Sequence, residues 1–172
     1  MIDYGYGVRL GPLDSTCLET IRAWRNDMTI WKWCRQNDLI SNLAQERWYE
    51  SQDKDRTIHM YAVISQAGLS GVCGLTSHEY INRRAEFSLY TAPELQKQGI
   101  GEMALRTLVA HGFLNQNLHS IWGESFAGNP AMSIFRKVGF KHEGTKRDAY
   151  FKDGKYLDAE MFSILESEWK QP

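Results

Sequence analysis

The stretch that decides the fold is Pro93-Glu-Leu-Gln-Lys-Gln-Gly-Ile-Gly-Glu102. Within it Gln96, Gly99 and Gly101 fit the pattern Q/R-x-x-G-x-G/A, set between a strand-like run and the best helical pattern in the chain. Two glycines let the backbone turn sharply and leave successive N–H groups with no Cβ in front of them. At the start of a helix those donors lack an intrahelical acceptor and sit at the positive end of the dipole, so the turn is a seat for an anion. A diphosphate suits it, and Gln96 and Lys97 can add side-chain contacts. No Walker lysine followed by Ser or Thr is present, which argues against a nucleoside triphosphatase.

The same residues also fit G-x-G-x-x-G/A through Gly99, Gly101 and Ala104, with Glu124 about twenty positions on, as in a dinucleotide-binding unit. That unit needs an apolar strand running straight into the first glycine. Here the strand ends near Thr91, Pro93 intervenes, and the preceding strands read as antiparallel hairpins. A glycine-rich surface loop without a ligand is the plainer alternative.

Outward from this turn the periodicities change on either side. Residues 99–115 read as a helix, with Ile100, Ala104, Leu105, Leu108 and Val109 on one face and Gly112 marking a fraying end. Upstream, residues 57–64, 69–76 and 85–91 read as three strands of an antiparallel meander, ended by Pro93 because proline cannot donate to a ladder. Further upstream come a short opening strand over 6–10 and helices over 14–24, 29–34 and 41–51. Downstream, residues 120–126 read as a strand and 129–137 as a helix with Pro130 at its first position. Strands near 140–144 and 156–165 follow, joined by a loop that holds Asp153 and Gly154. This order predicts one mixed α/β domain over residues 1–172, built around one central sheet.

Composition narrows the function. A chain of 172 residues with 42% hydrophobic and 24% charged residues is an ordinary folded domain. A formal charge of -1 gives no electrostatic footprint for nucleic acid or an anionic membrane. Cys17, Cys34 and Cys73 form neither a CxxC pair nor a disulfide framework, which suits a reducing cytoplasm. No signal peptide or membrane-spanning run is visible, and no metal is called for.

The chain resembles the GNAT superfamily of acetyltransferases over nearly its whole length. Three segments carry the resemblance: the glycine turn, the run Asn129-Pro-Ala-Met-Ser-Ile-Phe-Arg-Lys-Val-Gly-Phe140, and the tail with Glu143-Gly-Thr-Lys-Arg147 and Tyr150-Phe-Lys-Asp-Gly-Lys-Tyr-Leu-Asp158. The tail is similar to the branch of ribosomal-protein N-terminal and spermidine acetyltransferases, and Trp24-Arg-Asn26 to amino-sugar acetyltransferases of that branch. The resemblance implies a mostly antiparallel central sheet, flanked by helices and splayed into a slot for acetyl-CoA as co-substrate. Backbone groups near Tyr90 and Thr91 would pair with the pantetheine arm, and the amides of Gln98, Gly99, Ile100 and Gly101 would cradle the pyrophosphate. Gln96 and Lys97 would lie beside it, Asn129 would reach the cofactor, and Phe135 would pack against it. Transfer would be by direct attack of a neutral amine on the thioester.

Direct attack needs a base for the amine and a proton for the thiolate. Glu86 is the first candidate base and Glu124 the second, with His78 and Glu79 behind them. A solvated carboxylate paired with Arg83 or Arg84 is the bland alternative for Glu86. The tyrosine that protonates the thiolate in much of the superfamily is missing, because its place falls on Phe135 or Arg136 according to the direction of counting. Tyr150, Tyr156 or Tyr90 substitutes, or solvent does, or the protein binds CoA without efficient turnover. On the amine side Trp24, Trp31, Trp33, Trp48 and Tyr49 form an aromatic wall or cover the sheet. Arg22, Arg25 and Arg35 bind an anionic group or pair with Asp27 and Asp38. The acceptor is expected to be a small-molecule amine (amino sugar, polyamine or amino-acid-like), with a protein N-terminus as the alternative. Exposed sheet edges leave a homodimer open.

Overall fold

The period-two runs in the middle of the chain become strands because their alternate residues have two apolar layers to bury against. The computed structural model describes residues 1–52 and 54–171. It contains β1 (Arg9–Gly11), β2 (His59–Ser65), β3 (Gly68–Glu79), β4 (Arg84–Thr91), β5 (Ser120–Phe126), β6 (Lys141–Lys152) and β7 (Lys155–Leu165). These join one sheet in the order β1-β2-β3-β4-β5-β7-β6. Every neighbouring pair is antiparallel except β4 and β5. The helices are α1 (Leu18–Asn26), α2 (Met28–Trp31), α3 (Asn42–Gln52), α4 (Ile100–Leu114) and α5 (Met132–Val138). No helix among the described residues is long and apolar enough to cross a membrane.

Each face of the sheet carries its own core. On one face α4 and α5 cover Val63, Cys73, Leu75, Phe87, Ile121 and Phe162. On the other, Ile21 and Trp24 of α1 and Ile30 of α2 pack with Val72 and Ala92. Trp24 is thus a core residue, and Trp48 packs beside it.

Several expected boundaries move. The opening strand is Arg9–Gly11 rather than 6–10, because Gly5 and Gly7 take positive φ and keep the approach irregular. The second helical stretch stops at Trp31, and α5 begins at Met132 after Pro130 instead of with it. Gly112 does not mark fraying. It lies buried inside α4, where a Cβ would meet Ile121 Cδ1 at 2.7 Å, so the helix needs a notch to seat on the sheet. The largest change is β6, which runs to Lys152 and makes Tyr150 a strand residue rather than a loop residue.

The sheet forks between β4 and β5. Their ladder contains only Arg84↔Ser120, Ala85↔Ile121 and Glu86↔Trp122, although both strands continue. Burial falls at the same place: Ala85, Glu86 and Phe87 are buried, while Ser88, Leu89, Tyr90 and Thr91 are half-exposed. Phe87 is the wedge. Its ring lies so close over Gly123 that a Cβ there would meet ring carbons at 2.4 to 2.8 Å. Phe135 and Phe140 hold the ring edge-on, with centroids at 4.9 and 5.0 Å. The splayed, mostly antiparallel sheet expected from the sequence is therefore present. Gly123→Ala should destabilise the chain by about 1–3 kcal/mol, the usual cost of overpacking a filled site. Urea denaturation would check this, and an unchanged midpoint would show that the wedge has room to move.

Candidate active site

The glycine turn sits at the mouth of the fork. Lys97 has φ 63° and Gly99 φ 82°, so two left-handed residues in three reverse the chain just before α4. The first helical bond runs from Met103 N–H to the Gly99 carbonyl at 3.1 Å, so the Ile100, Gly101 and Glu102 amides precede the first intrahelical donor. Lys97, Gln98 and Gly99 are exposed. Gly101 faces the other way: a Cβ there would meet Ile134 at 3.4 Å, Thr91 at 3.6 Å and Leu89 at 4.0 Å, which are ordinary contacts. The two glycines thus differ: Gly99 is needed for its left-handed conformation, while position 101 has room for a methyl group. Gln96 is half-buried in extended conformation beside them.

Main-chain groups line the gap. Ala92 N–H donates to the Ser70 carbonyl at 2.9 Å. Alternation along an antiparallel ladder then turns the backbone of Tyr90 toward β3 and that of Leu89 and Thr91 toward the gap. Leu89 was not expected, since the register of β3 on β4 is not written in the local sequence. The Tyr90 side chain packs against the core on the α1 face, with the Arg25 guanidinium 5.4 Å from its ring centre. Burial pushes its hydroxyl well above the usual tyrosine range.

Two motif residues turn inward. Asn129 donates from Nδ2 to Ser125 Oγ at 2.8 Å and accepts the Ala131 N–H at 3.0 Å, tying the end of β5 to the start of α5. Phe135 is 5% exposed among Phe87, Phe140 and Phe162, so its surroundings are aromatic core rather than an open wall.

Beneath the fork, on the face opposite α4, the structure gathers Glu86, Glu124 and Tyr150 around Arg35. The Arg35 guanidinium donates to Glu86 Oε1 at 2.6 Å and to Glu124 Oε1 at 3.1 Å. Lys146 donates to Glu124 Oε2 at 2.7 Å, and the Tyr150 hydroxyl donates to Glu124 Oε1. The two carboxylates therefore differ. Glu124 has both oxygens engaged, and its pKa falls below the usual range because the Lys146 and Tyr150 hydrogen bonds outweigh the effect of burial. Glu86 has one oxygen engaged, and no described residue donates to its Oε2. Burial raises its pKa, with Arg35 pulling the other way. Environments that push two carboxyls apart in this way separate a proton acceptor from a fixed charge.

Glu86 does pair with an arginine, as the bland alternative has it, but the partner is Arg35 and not Arg83 or Arg84. Arg84 pairs with Glu79 at 2.7 Å and Arg83 with Glu166 at 3.4 Å, both on the surface. Glu79 is thereby engaged at the far end of β3, and His78 is buried there against Tyr80. Arg22 pairs with Glu19, not an aspartate, and Arg25 donates to Gln36. Arg35 and Lys146 reach the site from sequence distances of 51 and 22 residues, so no local spacing announces them.

Comparison with known proteins identifies the family and the fold. The acetyltransferase (GNAT) domain model matches residues 8–141. The chain is 32% identical to spermidine N(1)-acetyltransferase of Vibrio cholerae serotype O1 over 162 residues, 93% of this chain and 94% of the relative. It is 24% identical to the Escherichia coli (strain K12) spermidine N(1)-acetyltransferase over 165 residues, 95% of this chain and 89% of the relative. The crystal structure of the Vibrio cholerae spermidine N-acetyltransferase in complex with CoA and spermine superposes with a TM-score of 0.89 at 27% identity, covering 94% of this chain and 97% of that one.

The glycines separate by substitution. Gly99→Ala forces a left-handed alanine and should cost about 1–2 kcal/mol. Gly101→Ala meets only ordinary contacts and should leave stability unchanged or raise it by about 0.5–1 kcal/mol through better helix propensity. Denaturant melts of the two variants check the order.

Proposed function

This chain belongs to the GNAT acetyltransferase family, and from that premise we propose that it acetylates a primary amine of a polyamine-like molecule, with Glu86 as the base. The observation that carries this reading is a buried carboxylate at the point where β4 and β5 part, with one oxygen free to take a proton. The polyamine class is supported by the Vibrio cholerae and Escherichia coli relatives, both spermidine acetyltransferases.

Acetyl-CoA supplies the activated acetyl thioester. The fit of this chain to it rests on the exposed turn Lys97–Gln98–Gly99, the donor-rich start of α4, and the free backbone of Leu89 and Thr91 alongside. Glu86 Oε2 takes the proton from the acceptor ammonium. The free amine attacks the carbonyl carbon, the carbon–sulfur bond breaks, and the thiolate takes a proton from the enzyme. The second proton shed by the nitrogen restores that donor, while Glu86 gives its own proton to solvent. Tyr150 is the proton source we assign. Burial and the Glu124 carboxylate raise its pKa, so it keeps its proton at neutral pH, and Arg35 beside it favours the phenolate it would leave. Glu124 works as a fixed charge that orders Arg35, Lys146 and Tyr150. Holding both reactants in place supplies most of the acceleration, up to about 7–11 kcal/mol in well-oriented systems.

One observation favours a second acceptor class. The Arg35 and Lys146 side chains are each 48% exposed, so an acceptor with a carboxylate or phosphate, such as an amino acid or an amino-sugar nucleotide, finds cations at the site. The unpaired Cys17, Cys34 and Cys73 support a reducing cytoplasm. Pairing of copies through sheet edges gains no support, since β1 has three residues and β6 is interrupted twice in register.

A thiol-release panel of spermidine, amino acids, amino-sugar nucleotides and a peptide N-terminus decides the acceptor. Spermidine is expected to turn over fastest, and no release with any amine would remove the enzyme reading. CoA at a hundred times its Kd should stabilise the fold by about 2.7 kcal/mol, and NAD should not. Glu86→Gln should lower kcat by about 10²–10⁴-fold. It should also abolish the acidic limb of the kcat/KM profile, which in the parent chain falls as pH drops through a Glu86 pKa above the ordinary carboxylate range. Tyr150→Phe should lower kcat and leave CoA binding intact, and an unchanged kcat would assign the proton to solvent.

A further inference from the structure

Lys152 closes β6 and is only 3% exposed. No carboxylate among the described residues pairs with it. Instead its Nζ donates to the main-chain carbonyls of Trp31 at 3.0 Å, Cys34 at 2.8 Å and Gln36 at 2.8 Å. The ammonium also lies 3.7 Å from the centre of the Trp31 ring, a desolvated cation–π contact. An ammonium has three N–H donors, and here all three are used on one short segment. Burial pulls its pKa down, while a neutral amine, with two N–H groups, would leave one carbonyl without a donor.

That segment is the one that carries Arg35. Residue 35 stands between the second and third clamped carbonyls, and its side chain crosses to Glu86 and Glu124. Arg35 is otherwise a half-exposed side chain with large rotamer freedom on a connection between two helices. Only a fixed backbone beneath it gives one guanidinium two carboxylates at 2.6 and 3.1 Å.

We propose that Lys152 is a positioning residue for the acceptor side of the reaction: by clamping the carbonyls of Trp31, Cys34 and Gln36 it holds Arg35 on Glu86 and so sets the orientation and charge of that carboxylate. The kinetic part of the proposal rests on Glu86 being the base; the structural coupling does not. The charged and titratable groups that face Glu86 are Arg35 from the α2–α3 connection, Glu124 on β5, and Lys146 and Tyr150 on β6. Of these Arg35 is the largest influence that keeps Glu86 ionised. Releasing Arg35 therefore moves the Glu86 titration upward, and the acidic limb of the rate profile moves to higher pH with it.

The test is a double-mutant cycle on the full chain with Lys152→Met, Arg35→Met and both together. Its primary readout is the carbon-13 NMR titration of the Glu86 carboxyl, identified by its loss in Glu86→Gln, which needs no substrate. Each single variant is expected to raise the Glu86 midpoint, and the double variant to raise it no further than Arg35→Met alone. With spermidine as acceptor, Lys152→Met should lower kcat/KM by about tenfold to a hundredfold, as misplacement of a catalytic group does, while CoA affinity stays unchanged. A Glu86 midpoint unmoved by Lys152→Met, or single shifts that add in the double variant, would overturn the proposal. If Lys152→Met does not fold, Lys152→Gln enters the cycle in its place. Its neutral amide has donors for at most two of the three carbonyls, so a smaller rise of the Glu86 midpoint is expected, and no rise would overturn the proposal. Raised midpoints without a matching move of the acidic limb would leave the coupling standing and remove Glu86 as base.

Discussion

The molecule depends on a ladder that stops. β4 and β5 are the one parallel pair in the sheet, and they share three register pairs before Phe87 comes to rest on Gly123. Past that point the two strands have no common hydrogen bonds, and Leu89 and Thr91 turn main-chain donors and acceptors into a gap. Unpaired strand edges are costly to leave buried and ready to pair when open. A molecule with an amide-bearing arm and an anionic end fits both, because the edge runs up to the donor-rich start of α4.

The same fork explains the chemistry on the opposite face. Glu86 is the last β4 residue in the ladder, and on β5 Glu124 follows Trp122 by two, so alternation puts both carboxylates on one side of the sheet. Two carboxylates in a half-dry place repel and are poorly solvated. The fold answers with cations from distant segments, Arg35 from the α2–α3 connection and Lys146 from β6. The asymmetry between a saturated Glu124 and a Glu86 with one free oxygen comes from which donors each element can bring. Removing one partner from such a cluster is more damaging than never having built it, because the remaining charge stays buried.

Much of the frame was legible in the sequence. The glycine turn, α4 and the meander follow from strong local signals: two glycines before a long apolar helical face, and alternating strands ended by Pro93. What escaped reading was long-range or irregular. Only the start of β6, near 140–144, read as a strand; the part beyond it looked like a loop because the register breaks between Lys146 and Tyr150, with Asp148 at positive φ. Its side chains are mostly exposed, so no hydrophobic alternation marks it. Gly112 looked like a helix end, since a sequence cannot show that Ile121 occupies the space beside it. Arg35 was noted as a ligand for an anionic group or a partner of nearby aspartates; its partners in the structure are glutamates across the sheet. Lys152 drew no notice, because lysine is among the residues least often buried. Asn129 and Phe135 were read as facing a ligand; in the structure the half-buried Asn129 amide also ties β5 to α5, and the Phe135 ring fills the wedge of phenylalanines.

The contact between Phe87 and Gly123 also works as a ruler. A side chain at 123 and a ring at 87 cannot share the space, so any residue larger than glycine at 123 calls for a smaller one at 87. A chain with a small residue at both would lose the wedge, and its strands would be free to zip together by further rungs. The slot would then start later and end shallower. How far a bound arm penetrates the sheet is thus set by one aromatic ring and one missing methyl group, well away from any group that reacts.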